Sequence, residues 1–194
     1  MTTPVYDTSI PSDAKPLLSS PIGRKLVKMI RFNDDPIERL VDVFEIEPKD
    51  FFALCLGPVI LYFADGLEFG GSSTPHENTV LVWVERNEIG ETTDWLQENN
   101  PTALPFNAKD FEPWKHFLGQ TIISVTIIKE IDINDENPKI DSLPSERGVM
   151  LGFDNDLSLI ISHGLNDNTD STTITTPDQI DAYFKDRLVY TRVV

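Results

Sequence analysis

The sequence has a single cysteine and no long run of apolar residues. Cys55 has no second thiol to pair with, so an internal disulfide is excluded and a reducing compartment is expected. It lies within the apolar run 51–56, where we expect a buried and inert thiol. No apolar stretch approaches the ~20 residues that a membrane-spanning helix needs. Met1–Pro21 lacks the basic start and apolar stretch of a signal peptide, so we expect a cytoplasmic protein.

Positive charge is scarce. The chain has 16 Lys and Arg against 32 Asp and Glu, a net charge of −16. The acidic excess is concentrated in residues 32–100. This balance excludes binding to nucleic acid or to an anionic membrane through a broad basic surface, and it favours a basic partner. Solubility alone explains the same charge, so both interpretations stay open.

Motifs for catalysis and metal binding are lacking. Three histidines lie far apart and share no metal-ligand spacing: His76, His116 and His163. Residues 154–165 begin like a calcium loop, but Leu159 and Leu165 occupy the positions of its glycine and glutamate, and residues 132–136 begin a segment that fails the same two tests. Neither a glycine-rich phosphate loop nor a nucleophile elbow is present. We therefore predict no catalytic residue, no cofactor and no bound metal.

What the sequence does contain is a pattern that occurs twice. Residues 59–69 and 149–159 both read V-x-L-x-F, three turn residues, then L-x-apolar. A glycine and an apolar run precede each copy, at residues 23–32 and 119–128. We interpret the two regions as copies of one β-unit.

The apolar pattern predicts the register of each hairpin. Side chains on a strand alternate between two faces, so a three-residue loop at 154–156 places Phe153 opposite Leu157 and brings the apolar faces together. A two-residue loop would split that apolar face. In the first copy the equivalent loop is 64–66, and Gly66 takes its left-handed position.

The remaining patterns predict a few helices and further strands. Asp35 and Pro36 are typical of a helix start, with Asp35 as the cap. Residues 79–85 and 121–129 are predicted strands, and Ile123 is expected to share the apolar face of the second. Further elements are expected at four places: a short helix in 92–99, a loop at 130–147, a last helix opened by Thr176–Gln179, and a final edge strand over 188–194.

The predicted fold class is α+β. A mainly antiparallel β-sheet is built from two similar β-hairpin units with a few flanking helices. Four prolines and several Ser and Thr in residues 1–21 indicate an extended or disordered N-terminal arm. Residues 22–98 form the first β-rich half and residues 99–194 the second, packed together as one globular domain.

An acidic run lies beside two tryptophans. It consists of Glu85, Glu88, Glu91 and Asp94, and its neighbours are Trp83 and Trp95. Tryptophan is enriched at binding hot spots, so this run is our candidate contact patch. A solvated acidic face over tryptophans packed in the core is the alternative.

Several segments resemble immunity proteins of bacterial polymorphic toxin and secreted effector systems. The segments are 117–125, 149–164, the Thr176–Gln179 helix start and, in a similar style, 61–69. The resemblance implies a non-enzymatic protein that binds and neutralises one cognate toxin domain. We expect this protein to be cytoplasmic and either monomeric or homodimeric. It transfers no individual functional residue to this chain.

Our hypothesis is that the acidic run meets such a toxin, together with Glu68 and Phe69. A basic toxin would be drawn towards this surface by its charge. A different class of function is a small ligand-binding or hydrolytic domain with a carboxylate-lined cleft between the halves. A third is a structural subunit of a larger assembly, which a large exposed apolar patch would support.

Overall fold

A computed structural model describes residues 8–193 except 48, 49, 55, 56, 132–145, 168 and 170. Cys55 and residues 132–136, two subjects of the sequence analysis, lie outside the described residues. So does most of the predicted loop 130–147.

The described chain forms two five-stranded antiparallel sheets and a few short helices. The first sheet comprises β1 (Leu26–Asn33), β2 (Val59–Phe63), β3 (Glu68–Thr74), β4 (Thr79–Arg86) and β5 (Leu104–Asn107), in the order β4-β3-β2-β1-β5. The second comprises β6 (Ile122–Glu130), β7 (Glu146–Phe153), β8 (Ser158–His163), β9 (Thr172–Thr175) and β10 (Leu188–Val193), in the order β10-β6-β7-β8-β9. The predicted mainly antiparallel α+β fold is confirmed.

The helices connect and flank these sheets. The α-helices are α1 (Lys15–Ser19), α2 (Ile37–Phe44), α3 (Phe51–Leu54) and α4 (Trp95–Asn99). Single 3-10 turns occupy Pro75–Glu77, Ala108–Asp110, Trp114–Phe117, Pro177–Gln179 and Ala182–Phe184. The predicted short helix within 92–99 is confirmed as α4.

The two sheets have the same topology, since β1 to β5 and β6 to β10 occupy corresponding places. Backbone hydrogen bonds join the two copies. When each residue is replaced by its counterpart in the other copy, the same set of bonds is obtained. The four bonds run from Gly23 N to Ile122 O (2.7 Å), Gly119 N to Leu26 O (2.7 Å), Leu26 N to Gln120 O (2.9 Å) and Ile122 N to Arg24 O (3.0 Å). The copies are thus related by an approximate two-fold axis that passes between residues 25 and 121, which form an antiparallel bridge.

Both hairpins have the register that the apolar pattern predicts. Phe63 N donates to Leu67 O and Phe153 N donates to Leu157 O, each at 2.9 Å. The last turn residue is left-handed in both, at φ 96° for Gly66 and 64° for Asp156. The predicted three-residue loops are therefore confirmed.

The expected position of Ile123 is wrong because β6 contains a β-bulge. The register shifts between Ile122 and Ser124, which reverses the side-chain alternation at the start of the strand. Ile122 is consequently buried, whereas Ile123 is 52% exposed. The same bulge occurs in β1, between Leu26 and Lys28.

One core joins the two sheets. The inner faces of all ten described strands contribute to the same buried apolar cluster. A smaller cluster on the outer face of the second sheet contains Ile128, Ile160, Leu165, Ile180 and Phe184. The segment after Thr176, predicted as a helix, covers this cluster as two 3-10 turns. The first turn has a capping box of Thr176 with Gln179.

The described part of the predicted N-terminal arm, residues 8–21, is folded. Ser9 bridges to Val82 at the edge of β4, and Leu17 and Leu18 of α1 are fully buried in the core. The prolines that indicated an extended arm are accommodated because Pro16 lies in the first turn of α1.

Two boundaries also differ from the predicted ones. Pro36, not Asp35, is the cap residue of α2, and Asp35 instead pairs with Arg39 at 2.9 Å. The first sheet extends past residue 98, because Leu104–Asn107 pairs with β1 as its outer neighbour.

Candidate functional site

Four side chains form a row across the outer face of the first sheet. Register places Lys28 opposite Tyr62, Tyr62 opposite Glu68, and Glu68 opposite Arg86. Lys28 Nζ lies 4.6 Å from the centre of the Tyr62 ring, and Arg86 Nε lies 3.2 Å from Glu68 Oε1. The row thus consists of a cation, an aromatic ring, a carboxylate and a second cation, one on each of four neighbouring strands.

Two tryptophans in ring contact lie beside this row. Trp83 packs flat over Gly70 on the next strand, where an added Cβ would lie 2.0 Å from a ring carbon. The Trp95 ring packs against Trp83 with 4.0 Å between centroids and a tilt of 40° between the ring planes. Glu85 accepts a hydrogen bond from Trp83 Nε1 at 2.7 Å and another from Leu96 N at 3.2 Å. These contacts hold α4 against the sheet.

We call this set the first-sheet cluster. Its members are Lys28, Tyr62, Glu68, Trp83, Glu85, Arg86 and Trp95.

Burial raises the pKa of two members of the cluster, Tyr62 and Glu68. Desolvation, reinforced by the carboxylates of Glu68 and Glu85, raises the pKa of Tyr62 to about 12. Desolvation also raises the pKa of Glu68, and the guanidinium of Arg86 opposes that rise. At neutral pH the Tyr62 hydroxyl is therefore protonated and can both donate and accept a hydrogen bond.

The structure divides the residues that the sequence analysis predicted as contacts. Glu68 and Glu85 belong to the first-sheet cluster. Glu88, Glu91 and Asp94 lie in the loop between β4 and α4: Glu88 pairs with Arg24, Glu91 accepts from Asn87 Nδ2 (2.7 Å), and Asp94 accepts from Thr92 Oγ1 (2.7 Å). Glu91 and Asp94 are exposed.

Phe69 does not belong to any contact surface. Its side chain points to the inner face of the first sheet and is fully buried in the core. The prediction of Phe69 as a contact residue is wrong because residues 68 and 69 lie on opposite faces of β3, and only Glu68 faces outward.

Sequence reasoning did not single out Lys28, Tyr62 or Arg86. A signal was present for Tyr62, which occupies a variable position of the V-x-L-x-F pattern. Since the apolar positions of that pattern face the core, the variable ones face outward. Strand pairing was needed to place Lys28 and Arg86 next to it.

The two copies differ at this row. In the second sheet, Ser124, Gly152 and Ser158 occupy the places of Lys28, Tyr62 and Glu68. The shared topology and turns maintain the fold in both copies, so the charged and aromatic row is an addition to the first copy alone.

Other kinds of site have less support in the described part of the chain. No group of three His, Cys, Asp or Glu side chains among the described residues is placed to hold a metal ion. None of the helices described is long and apolar enough to cross a membrane. A cleft of about 330 Å³ lies between α1 and β10, but its lining contains Lys15 and Arg192 instead of carboxylates.

Comparisons of the chain with protein-family models, with curated proteins and with solved structures found no match.

Proposed function

We propose that this protein is a non-enzymatic immunity protein that binds and neutralises a cognate toxin domain in the cytoplasm. The observation that carries the proposal is the convergence of Tyr62, Arg86 and Trp95 on one outer face of the first sheet. Tyrosine, arginine and tryptophan are the residue types most enriched at binding hot spots. The neighbouring loop adds exposed carboxylates.

The first-sheet cluster suits an inhibitor because its side chains are fixed before binding. Trp95 packs against the buried Trp83 ring, and the hydrogen bonds that Glu85 accepts hold both that ring and α4 in place. A partner that meets side chains already held in position loses less conformational entropy on binding. Tight inhibition of a toxin requires such a small loss of conformational entropy on binding.

Charge gives the surface a preferred partner. Glu91 and Asp94 are exposed beside the cluster, and the whole chain carries −16. A basic toxin domain would be steered towards this loop, and its association would slow as salt is added. The outer face would then form the close contacts with the toxin, and the loop would attract it electrostatically.

The first experiment identifies the partner. Tagged protein is expressed in its native host, and co-purifying proteins are identified by mass spectrometry. We expect one stoichiometric partner with a toxin-like domain. Recovery of the protein alone under toxin-inducing conditions would contradict the proposal and favour a ligand-binding or hydrolytic domain.

The second experiment locates the interface by titration calorimetry with that partner. Tyr62→Ala and Trp95→Ala should each weaken binding by about tenfold or more, as truncation of a hot-spot residue does. The matched control is Tyr183→Ala, which removes an exposed tyrosine from the second half. If the control weakens binding equally, the first-sheet cluster is not the contact surface.

A further inference from the structure

The strand β10 has a free edge. It pairs with β6 on one side, and in the described part of the chain no strand lies on its other side. Ile131 N donates to Arg187 O at 2.7 Å. In an antiparallel pair every second residue forms hydrogen bonds with the neighbouring strand, so Val189 and Thr191 form theirs with β6. The backbone groups of Tyr190 and Arg192 consequently point away from the sheet.

The other sheet edges are covered or interrupted. The edge of β4 is bridged by Ser9 and by Thr92. The short edge strand β5 contains Pro105, which has no backbone N–H to offer. Every residue of β9 is buried, and α3 packs beside that strand.

Although α1 packs beside it, β10 is less covered than these edges in the described part of the chain. It contains neither proline nor a bulge, and Val189 and Tyr190 are 43% and 50% exposed. An exposed edge strand with β-branched and aromatic residues is a template for pairing with another strand, and Arg192 is the one charged residue of β10.

A cleft adjoins this edge. It has a volume of about 330 Å³ and lies between α1 and β10, with Pro16, Ile127 and Val193 as its apolar lining. Lys15 and Arg192 also line it, and neither forms an ion pair with another described residue. These two residues give the cleft a local positive charge on a chain whose net charge is −16.

We infer that β10 and this cleft bind an extended, acidic and apolar peptide segment of a partner protein, which adds to the second sheet as a sixth strand. The segment pairs with the backbone of Tyr190 and Arg192, inserts an apolar side chain into the cleft and places a carboxylate near Lys15 and Arg192. Backbone pairing supplies affinity and the cleft supplies specificity in this mode of recognition. A second copy of the chain is a poorer occupant, since its own β10 carries Arg192 and no carboxylate to place near these two cations.

The test uses the full chain and a short fluorescein-labelled peptide in which valine and threonine alternate and each end carries aspartate. Fluorescence anisotropy should show saturable binding. A peptide with lysine at each end should bind at least about tenfold more weakly, a difference that one well-placed charge interaction produces. Equal binding of the two peptides, or no binding of either, would overturn the inference.

A charge swap makes the test independent of folding defects. The double variant Lys15→Glu with Arg192→Glu should reverse the preference and favour the lysine-ended peptide. Its matched control, Lys25→Glu with Lys109→Glu, changes two exposed cations away from β10 and should keep the original preference. An unchanged preference in the first variant would refute the assigned site.

Backbone pairing is tested separately. Tyr190→Pro removes an N–H that points away from β6, so the sheet keeps its bonds while the added strand loses one. We expect weaker peptide binding with an unchanged circular dichroism spectrum. If size measurements instead show a dimer of the wild-type chain that Tyr190→Pro dissociates, the occupant is a second copy and the inference is wrong.

Discussion

Gly70 shows at the residue scale how one missing side chain permits the candidate site. Its strand position lies opposite Trp83, and the indole ring occupies the space that any Cβ would take. Trp95 then packs against Trp83, and this contact places α4 on the sheet. A glycine that looks ordinary in the sequence therefore fixes the position of a helix.

Replacement of Gly70 by alanine should displace Trp83 and lower the unfolding free energy by ~1–3 kcal/mol, the usual cost of overpacking. Urea unfolding followed by tryptophan fluorescence measures this. The control is Gly152→Ala, where the nearest atom to the new Cβ is the Ser124 hydroxyl, which can rotate away. Equal losses in both variants would show that Trp83 is not held against Gly70.

Tyr62 gives a prediction about alkaline pH. Its pKa is about 12 in the folded chain, against ~10 when unfolded. The unfolded chain therefore loses this proton first, so the contribution of Tyr62 to stability is complete below pH ~10 and is lost as pH rises towards ~12. Ultraviolet titration should show a late tyrosine that disappears in Tyr62→Phe. The stability of that variant should also fall less steeply across the same range. A titration curve unaltered by the substitution would contradict this.

At the scale of elements, the paired hairpins show that one turn geometry is reached by two different residues. Gly66 and Asp156 both take left-handed backbone at the third loop position. The two loops also share a backbone hydrogen bond. Gly66 N donates to Phe63 O at 3.1 Å, and Asp156 N donates to Phe153 O at 3.2 Å. The two copies thus share the backbone geometry of this loop, although the loop residues differ.

Gly66→Ala should cost ~1–2 kcal/mol, because left-handed backbone strains a residue with a Cβ. No atom lies within 4 Å of the added Cβ, so the loss would measure backbone strain without a steric clash. Gly66→Asn is the matched control, since asparagine tolerates this conformation, and it should cost clearly less. Thermal or urea unfolding compares the two. Equal costs would mean that the backbone conformation of the loop does not determine them.

At the scale of the whole molecule, two similar sheets share one core and differ on their outer faces. The first exposes the charged and aromatic row, whereas the second is covered by the 3-10 turns after Thr176. The shared inner faces explain why the copies stay similar, since each must fit the other. The outer faces do not pack against each other, so they can differ between the two copies.

Division of the chain between residues 110 and 111 should therefore abolish folding of each fragment alone. Each fragment would expose the inner face of a five-stranded sheet that is buried only against the other. Circular dichroism and NMR dispersion of the separate and mixed fragments test this. We expect structure on mixing only, and a folded isolated fragment would contradict a shared core.

The sequence by itself determined the local features of this protein. Alternation of apolar residues established the strands, and the pairing of Phe153 with Leu157 followed because only one loop length joins the apolar faces. Turn chemistry placed Gly66, and the repeated pattern indicated two similar units. These features depend on neighbours in the chain, which the sequence states directly.

Only the tertiary structure decided the rest. The bulge that exposes Ile123 depends on pairing with β7, and the burial of Leu17 and Leu18 depends on a core made by both sheets. The first-sheet cluster joins residues from β1 to α4 because strands far apart in sequence become neighbours. Spacing along the chain carries no record of such contacts, so the row of Lys28, Tyr62, Glu68 and Arg86 was visible only after folding.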